Sequence, residues 1–345
     1  MNKFLSIGFG NVGRAIPERA EAELGLKQKK LVIRSGGVYR LKADGAASLV
    51  DARPDFWQIP DVMKDVKIAF NTLPSDQGGR SLEILKQLAS RGIPVITAEK
   101  GALSQFYRQI KNTGLLDFLG SDATVGGRTG MLGWSAGQIN SRTTQIHVVI
   151  NGTLNYILDG ISNQRTPGQV IDEAVLLGYA EPGATEHLEV LNGELVGDIP
   201  KKAAILANQS LRNTVFLNGS YLLPRQLEQA PLDSGSWHRL IREAKDRRYI
   251  LSFIRKSQEI PEDDIIAPLR KEIKTNSGVT VVLGGFRRVH DNPLLSYLNL
   301  SGTRNGAVIT GGNNESDGIL VLSGEGAGPG PTATAMVNNA RQFLK

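Results

Sequence analysis

Phe4-Leu5-Ser6-Ile7-Gly8-Phe9-Gly10-Asn11-Val12-Gly13-Arg14 places a short apolar run directly before three glycines at G-x-G-x-x-G spacing, with a helix-compatible stretch behind them. That order is how a dinucleotide-binding βα unit opens. Gly8 permits the sharp turn from strand to helix, Gly10 lets the backbone approach a pyrophosphate, and Gly13 allows the helix to pack closely on the strand. Phe9, Asn11 and Val12 complete the turn, and the free N–H groups of the helix start face the phosphates. Glycines at this spacing also occur in turns that hold nothing. Their position, straight after a strand at the start of the chain, selects the dinucleotide reading.

Working outward, the first 130 residues keep the same alternation. Residues 4–8 read as a strand and 11–22 as a helix; residues 30–34, 66–71 and 94–97 read as further strands, with a helical stretch at 79–91. Right-handed crossovers between parallel strands bring the loops after each strand to one edge of the sheet, where ligands bind. The second strand ends Val32-Ile33-Arg34-Ser35, with no acid. An Asp or Glu there would suit the ribose 2′-hydroxyl of NAD. Arg34 can instead pair with a 2′-phosphate and Ser35 can add a hydrogen bond, so NADP (as NADPH) is favoured over NAD. Arg40 is a further candidate contact, and an exposed strand-end arginine is the competing reading.

From Ser141 the pattern changes. Residues 144–150 alternate as a strand, 154–163 and 170–177 read as helices, and 201–211 as an Ala-rich helix. Residues 249–256, 279–288 and 297–311 read as antiparallel strands, giving an α+β second domain. The glycine-rich stretch from Gly324 through Gly328 to Pro331 precedes Thr332, which reads as the N-cap of a final helix at 333–343. A second glycine-rich helix start suggests a second backbone approach to a ligand.

Composition narrows the function classes. A chain of 345 residues with 40% apolar side chains can bury a substantial core, and no stretch reaches 18 consecutive apolar residues. The glycines interrupt any secretory pattern at the N-terminus, so a cytoplasmic location and no membrane partner are the expectations. The absence of cysteine excludes disulfides, zinc-thiolate sites and a thiol nucleophile. The net charge of +6 is densest at residues 239–248, where acids and bases interleave as on a solvated helix face. Three scattered tryptophans and no basic-aromatic alternation argue against nucleic acid.

Two lysines are candidates for chemistry. Lys100, in Thr97-Ala98-Glu99-Lys100-Gly101-Ala102, follows a strand at the ligand-binding edge, where it could polarise or protonate a carbonyl. Asp198 and Lys202 are spaced i, i+4 at a helix start and so share a face. On a surface that pair contributes a few tenths of a kcal/mol at about the usual helix value; beside a cofactor it is an oriented proton donor.

In chain order these motifs resemble homoserine dehydrogenase. The resemblance runs through residues 8–14, Asn71-Thr72, residues 97–102, Ala123-Thr124-Val125-Gly126-Gly127, residues 151–158 (Asn-Gly-Thr-Leu-Asn-Tyr-Ile-Leu), Gly178-Tyr179-Ala180-Glu181-Pro182, the Asp198 to Lys202 pair, and residues 324–333. It implies an α/β fold, a Rossmann-type parallel-sheet domain with an inserted α+β catalytic and dimerisation domain. The implied boundaries are 1–140, 141–318, and 319–345 for the return to the nucleotide domain, in the short form without a regulatory ACT domain. The implied activity is reversible reduction of L-aspartate 4-semialdehyde to L-homoserine, a small amino-acid substrate, by a homodimer. By the same resemblance Lys100 and Lys202 handle the proton at the carbonyl oxygen and Asp198 orients Lys202. Glu181 binds the substrate ammonium; Gly152, Thr153 and Tyr179 line its pocket. Asn71, Thr72, Lys100, Gly328 and Thr332 join the cofactor site, and a monovalent cation falls at Val125, Gly127 and Thr129.

The chain departs from the family pattern at particular positions. Glu99 stands where the family has an amide, Arg128 follows the glycine turn, and Gly183-Ala184-Thr185-Glu186-His187 replaces an acidic run. The family's second substrate-binding aspartate falls on Gly193, with Glu189 or Glu194 as its replacement. A pocket for another small polar aldehyde, or a weakly active NADP-binding sensor, are the alternative readings. His187 reads as a loop residue.

Overall fold

The computed structural model describes residues 2–34, 36–42, 46–53, 55–180, 186–258, 264–276, 278–311 and 318–344. The chain divides into two compact units, residues 1–124 with 329–345, and residues 125–328.

In the first unit, the apolar run becomes β1 (Lys3–Ile7), followed by α1 (Asn11–Leu24) and β2 (Lys27–Arg34). A hairpin follows, β3 (Gly37–Leu41) and β4 (Ala47–Asp51), then a one-turn α2 (Pro60–Met63) and β5 (Val66–Asn71). The unit continues with α3 (Gly79–Ala89), β6 (Val95–Thr97), α4 (Gly101–Asn112) and the short β7 (Leu119–Gly120). The sheet order is β4-β3-β2-β1-β5-β6-β7. Strands β2, β1, β5, β6 and β7 are parallel, whereas β3 and β4 extend the sheet antiparallel.

Register matters most for function. Ile7 lies beside Ile33 and Asn71, and Asn71 beside Thr97. Gly8, Arg34, Thr72 and Ala98 therefore follow in one row at the carboxyl edge, the ligand-binding edge of such a sheet. Beneath it, Phe4, Ile16, Ile68, Phe70, Ile96, Met336 and Val337 form a core in which α1 and the C-terminal helix (Pro329–Ala340) pack on the strands. The rings of Phe4 and Phe70 meet edge to face at 5.2 Å.

The structure departs from the sequence expectation at three places. The second strand starts at Lys27 because Lys29 is buried and its ammonium donates to the carbonyls of Asp61 (2.5 Å) and Lys64 (2.9 Å); a lysine-rich run concealed a strand. The β3–β4 hairpin was not expected. The last helix begins at Pro329, a residue suited to the first helical position, so Thr332 lies inside the helix and is not its N-cap.

The second unit opens with α5 (Met131–Gln138), β8 (Gln145–Val149), α6 (Gly152–Ser162) and α7 (Pro167–Leu176). After it come α8 (His187–Asn192), a π-helical turn at Gly193–Asp198, α9 (Ile199–Leu206) and a second π-helical turn at Ala207–Leu211. The remainder is α10 (Ser234–Arg242), β9 (Arg247–Arg255), β10 (Ile266–Thr275), β11 (Gly278–Arg288), the one-turn α11 (Pro293–Ser296), β12 (Arg304–Thr310) and β13 (Ile319–Glu325). The strands form an antiparallel sheet in the order β10-β11-β9-β8-β12-β13. This α+β unit sits in the sequence between the two parts of the first, so the fold is α/β with an insertion.

Residues 239–248 are not a solvated helix face. The helix ends at Arg242, and Arg247 and Arg248 open β9, 0% and 3% exposed. Arg247 pairs with Glu243 (2.5 Å) and Asp264 (2.7 Å), and Arg248 donates to the Leu300 carbonyl (3.1 Å). Residues 297–311 form a strand only from Arg304.

A buried polar chain crosses the sheet. Arg287 donates to Ser252 Oγ (2.7 Å), leaving the Ser252 hydroxyl to donate to His147 Nδ1 (2.7 Å), so that His147 Nε2 carries the proton toward Gln145 Oε1 (2.9 Å). Burial, with the Arg287 charge, pushes His147 down to about 3 from 6.5. The unfolded chain takes up this proton below pH 6.5 while the native state refuses it until about pH 3. Its stabilising contribution is thus complete above 6.5 and lost at about 1.4 kcal/mol per pH unit on acidification through that window. Urea midpoints across the window should show this slope, and His147→Gln should flatten it.

Candidate active site

In the first unit the glycine turn has the shape its spacing predicts. Gly8 has φ +87°, and a Cβ added there would lie 2.5 Å from the Thr72 carbonyl carbon and oxygen. A Cβ on Gly13 would lie 2.7 Å from the Gly8 oxygen and 2.8 Å from Thr72 Oγ1. Gly10 differs: nothing lies within 4 Å of its added Cβ. Gly8 and Gly13 are required by the protein's own packing, whereas Gly10 faces open space at the helix start, a position suited to binding anions.

A paired test follows from that contrast. Gly8→Ala should destabilise the unit by about 3 kcal/mol or more, through the positive φ and the clash together. Gly10→Ala should leave the melting temperature unchanged and weaken dinucleotide binding at least about tenfold, since only the phosphate approach is lost. Calorimetry on both variants separates the two effects.

Thr72 locks the turn, its N–H donating to the Ile7 carbonyl at 2.6 Å and Gly8 N–H to the Ile33 carbonyl at 2.7 Å. Asn71 is buried and donates to Ser81 Oγ at 3.2 Å. Arg34, exposed at the end of β2, lies over the Tyr39 ring at 5.3 Å, so the unexpected hairpin supplies a platform for this guanidinium. Ser35 lies outside the described residues.

Lys100 stands at the N-terminus of α4, its N–H donating to Ser75 Oγ at 3.0 Å. Glu99, the departure from the family motif, is 1% exposed. Its carboxylate accepts from the N–H groups of Gly101 and Ala102 (3.1 Å for the second), so it caps α4 and meets the positive end of the helix dipole. Burial raises its pKa against those hydrogen bonds. A Cβ on Gly101 would lie 2.6 Å from the Asp76 oxygen and the Gly78 nitrogen, so the loops after β5 and β6 are packed together and fix the Lys100 backbone.

The second unit carries its own cluster. Lys202 Nζ lies 2.7 Å from Asp198 Oδ2, both side chains about 15% exposed (15% and 14%). Asp198 accepts from Asn151 Nδ2 at 3.0 Å, and the same nitrogen donates to buried Glu194 at 2.6 Å. Asn151 is the N-cap of α6, accepting the Leu154 N–H at 2.8 Å. Next in sequence, Gly152 packs with its would-be Cβ 2.5 Å from the Thr303 oxygen, and Thr153 Oγ1 donates to the Tyr179 carbonyl at 2.7 Å. The Tyr179 ring meets Tyr156 edge to face at 5.1 Å, and Tyr156 OH donates to Glu173 at 2.6 Å.

Lys202, Asp198, Thr153, Gly152 and Tyr179 are thereby linked within one unit. Glu181 lies outside the described residues. Of the two glutamates considered in place of the family aspartate, Glu194 joins this cluster, while Glu189 belongs to the capping box of α8. His187 is exposed and faces Asp172 at 3.0 Å, but it opens α8 instead of lying in a loop, because Glu186 and Glu189 form a capping box at that helix start. Asn151 was missed as a site residue, although an Asn before a helix start is a signal for such a cap. Val125, Gly127 and Thr129 share one tight turn, closed by Thr129 Oγ1 donating to the Gly126 carbonyl at 2.9 Å. Gly328, at φ +109°, precedes the C-terminal helix. Among the described residues no His, Cys, Asp and Glu cluster could hold a metal, and no helix is long and apolar enough to cross a membrane.

The homoserine dehydrogenase family profile matches residues 134–340, more than half of the chain. The chain belongs to the homoserine dehydrogenase family. It is accordingly an NAD(P)-dependent oxidoreductase that acts on a small molecule. It is 26% identical over 349 residues to homoserine dehydrogenase of Mycobacterium tuberculosis, covering 96% of this chain and 70% of that one. The homoserine dehydrogenase structure from Thermoplasma acidophilum superposes with a TM-score of 0.65 at 18% identity, over 99% of this chain and 98% of that one. A hyperthermophilic archaeal homoserine dehydrogenase in complex with NADPH gives 0.63 at 20%, over 99% and 97%. These structures share the fold of this homoserine dehydrogenase family member.

Proposed function

We propose that this chain interconverts L-aspartate 4-semialdehyde and L-homoserine with NADP(H), the first unit holding the dinucleotide and the second the amino-acid substrate. The observation that carries the reading is the Lys202–Asp198 pair, mostly buried and clamped by Asn151. The open face of Gly10 and the strand-end Arg34 support the dinucleotide and its 2′-phosphate. The complex of a family neighbour with NADPH supports the same cofactor.

Reduced nicotinamide supplies the hydride. As the carbonyl π bond breaks, its electron pair moves to oxygen, and an ammonium hydrogen-bonded to that oxygen stabilises the charge and gives up a proton. Lys202 and Lys100 take this role in the proposal, with Asp198 orienting Lys202. Glu181 is assigned the substrate ammonium, Gly152, Thr153 and Tyr179 the pocket wall. Carbonyls in the turn containing Val125, Gly127 and Thr129 are assigned a monovalent cation, and the assembly is a homodimer. Homoserine oxidation followed at the reduced-nicotinamide absorbance, with NADP and NAD in parallel, tests the reading. Turnover of another short amino or hydroxy aldehyde in place of aspartate semialdehyde would overturn the substrate assignment; no turnover of any would leave a dinucleotide-binding sensor.

A further inference from the structure

Asn151 sits where two carboxylates and a helix start converge. The residue is 2% exposed and its carboxamide uses its full donor capacity: one N–H to Glu194 Oε2 (2.6 Å), the other to Asp198 Oδ2 (3.0 Å), while Oδ1 accepts the Leu154 N–H (2.8 Å). Asp198 Oδ2 also receives the Lys202 ammonium at 2.7 Å. Two acids and one base therefore meet at this amide. Two carboxylates drawn to one nitrogen repel unless something donates to both, and a hydroxyl or a single N–H cannot do so.

We infer that Asn151 is a positioning residue for the hydride-transfer site: by bridging Glu194 and Asp198 it holds the Asp198 carboxylate on Lys202, while its oxygen fixes the start of the helix bearing Gly152 and Thr153. The inference rests on the proposed reading of Lys202. It goes beyond that reading because it assigns the geometry of the proton donor to an uncharged residue outside the reacting set. The competing role, a helix cap alone, makes a different prediction, since Asp and Ser cap helices about as well as Asn.

Asn151→Asp keeps shape and cap but replaces the double donor with an acceptor; Asn151→Ser keeps a cap, adds no charge and covers the case in which a third carboxylate impairs folding. Both should lower kcat for homoserine oxidation by about 10- to 100-fold, as expected for losing the charge-assisted hydrogen bond that holds Asp198, with the KM values for NADP and homoserine within about twofold. A crystal structure of Asn151→Ser should show the Asp198 carboxylate turned away from Lys202. Folded variants with kcat unchanged would reduce Asn151 to a cap. An intact Lys202–Asp198 pair in the Asn151→Ser crystal overturns the inference whatever the substrate is. If the unaltered protein does not oxidise homoserine, the functional reading fails, and the crystal structure still decides the bridging role.

Discussion

Lys202→Arg is expected to cut kcat for homoserine oxidation by about 10²- to 10⁴-fold, the range for losing a positioned general acid or base. Arginine keeps the positive charge opposite Asp198, which matters because both partners are mostly buried and deletion of one would strand the other. A guanidinium does not exchange its proton near neutrality, so charge is preserved while proton transfer is lost. Lys202→Ala removes both, and should show the same kinetic loss with a lower melting temperature. An arginine variant of normal rate would take Lys202 out of the chemistry.

The second large effect concerns cofactor choice. Arg34→Ala should raise KM for NADP by about 10- to 100-fold, the range for losing a hydrogen-bonded contact to a charged group, and leave NAD within about threefold. The Tyr39 ring beneath Arg34 restrains the guanidinium before binding, so less of the contact is spent on ordering a long side chain. Equal loss for both dinucleotides would refute a phosphate contact.

The nucleotide half was the more legible in sequence, for a physical reason. A βα turn around a diphosphate needs glycines at particular steps, and β1, β5 and the helix between residues 79 and 89 announce themselves through apolar periodicity. Strands with charged sequences did not. Lys29 in β2 and Arg248 in β9 donate to carbonyls distant in sequence, and Arg247 reaches Asp264 and the Phe286 carbonyl besides the nearby Glu243; no local pattern records the distant partners. In the second unit the i, i+4 spacing showed that Asp198 and Lys202 share a face, but Asn151 and Glu194 enter that cluster only through folding. Glu99 was a departure in the motif and became a helix cap once its carboxylate was placed.

The π-helical turn at Gly193–Asp198 takes up an extra residue without turning the helix that follows it. Such a turn holds about one residue more than an α-helical turn, so removing one residue there would restore regular winding with the downstream helix near its present phase, whereas removing one residue between Asp198 and Lys202 would rotate Lys202 by about 100° relative to Asp198. Lys202 would then swing off the side it shares with Asn151, without any change in the residues themselves. Where a length change falls along this helix thus decides whether the Lys202–Asp198 pair survives it.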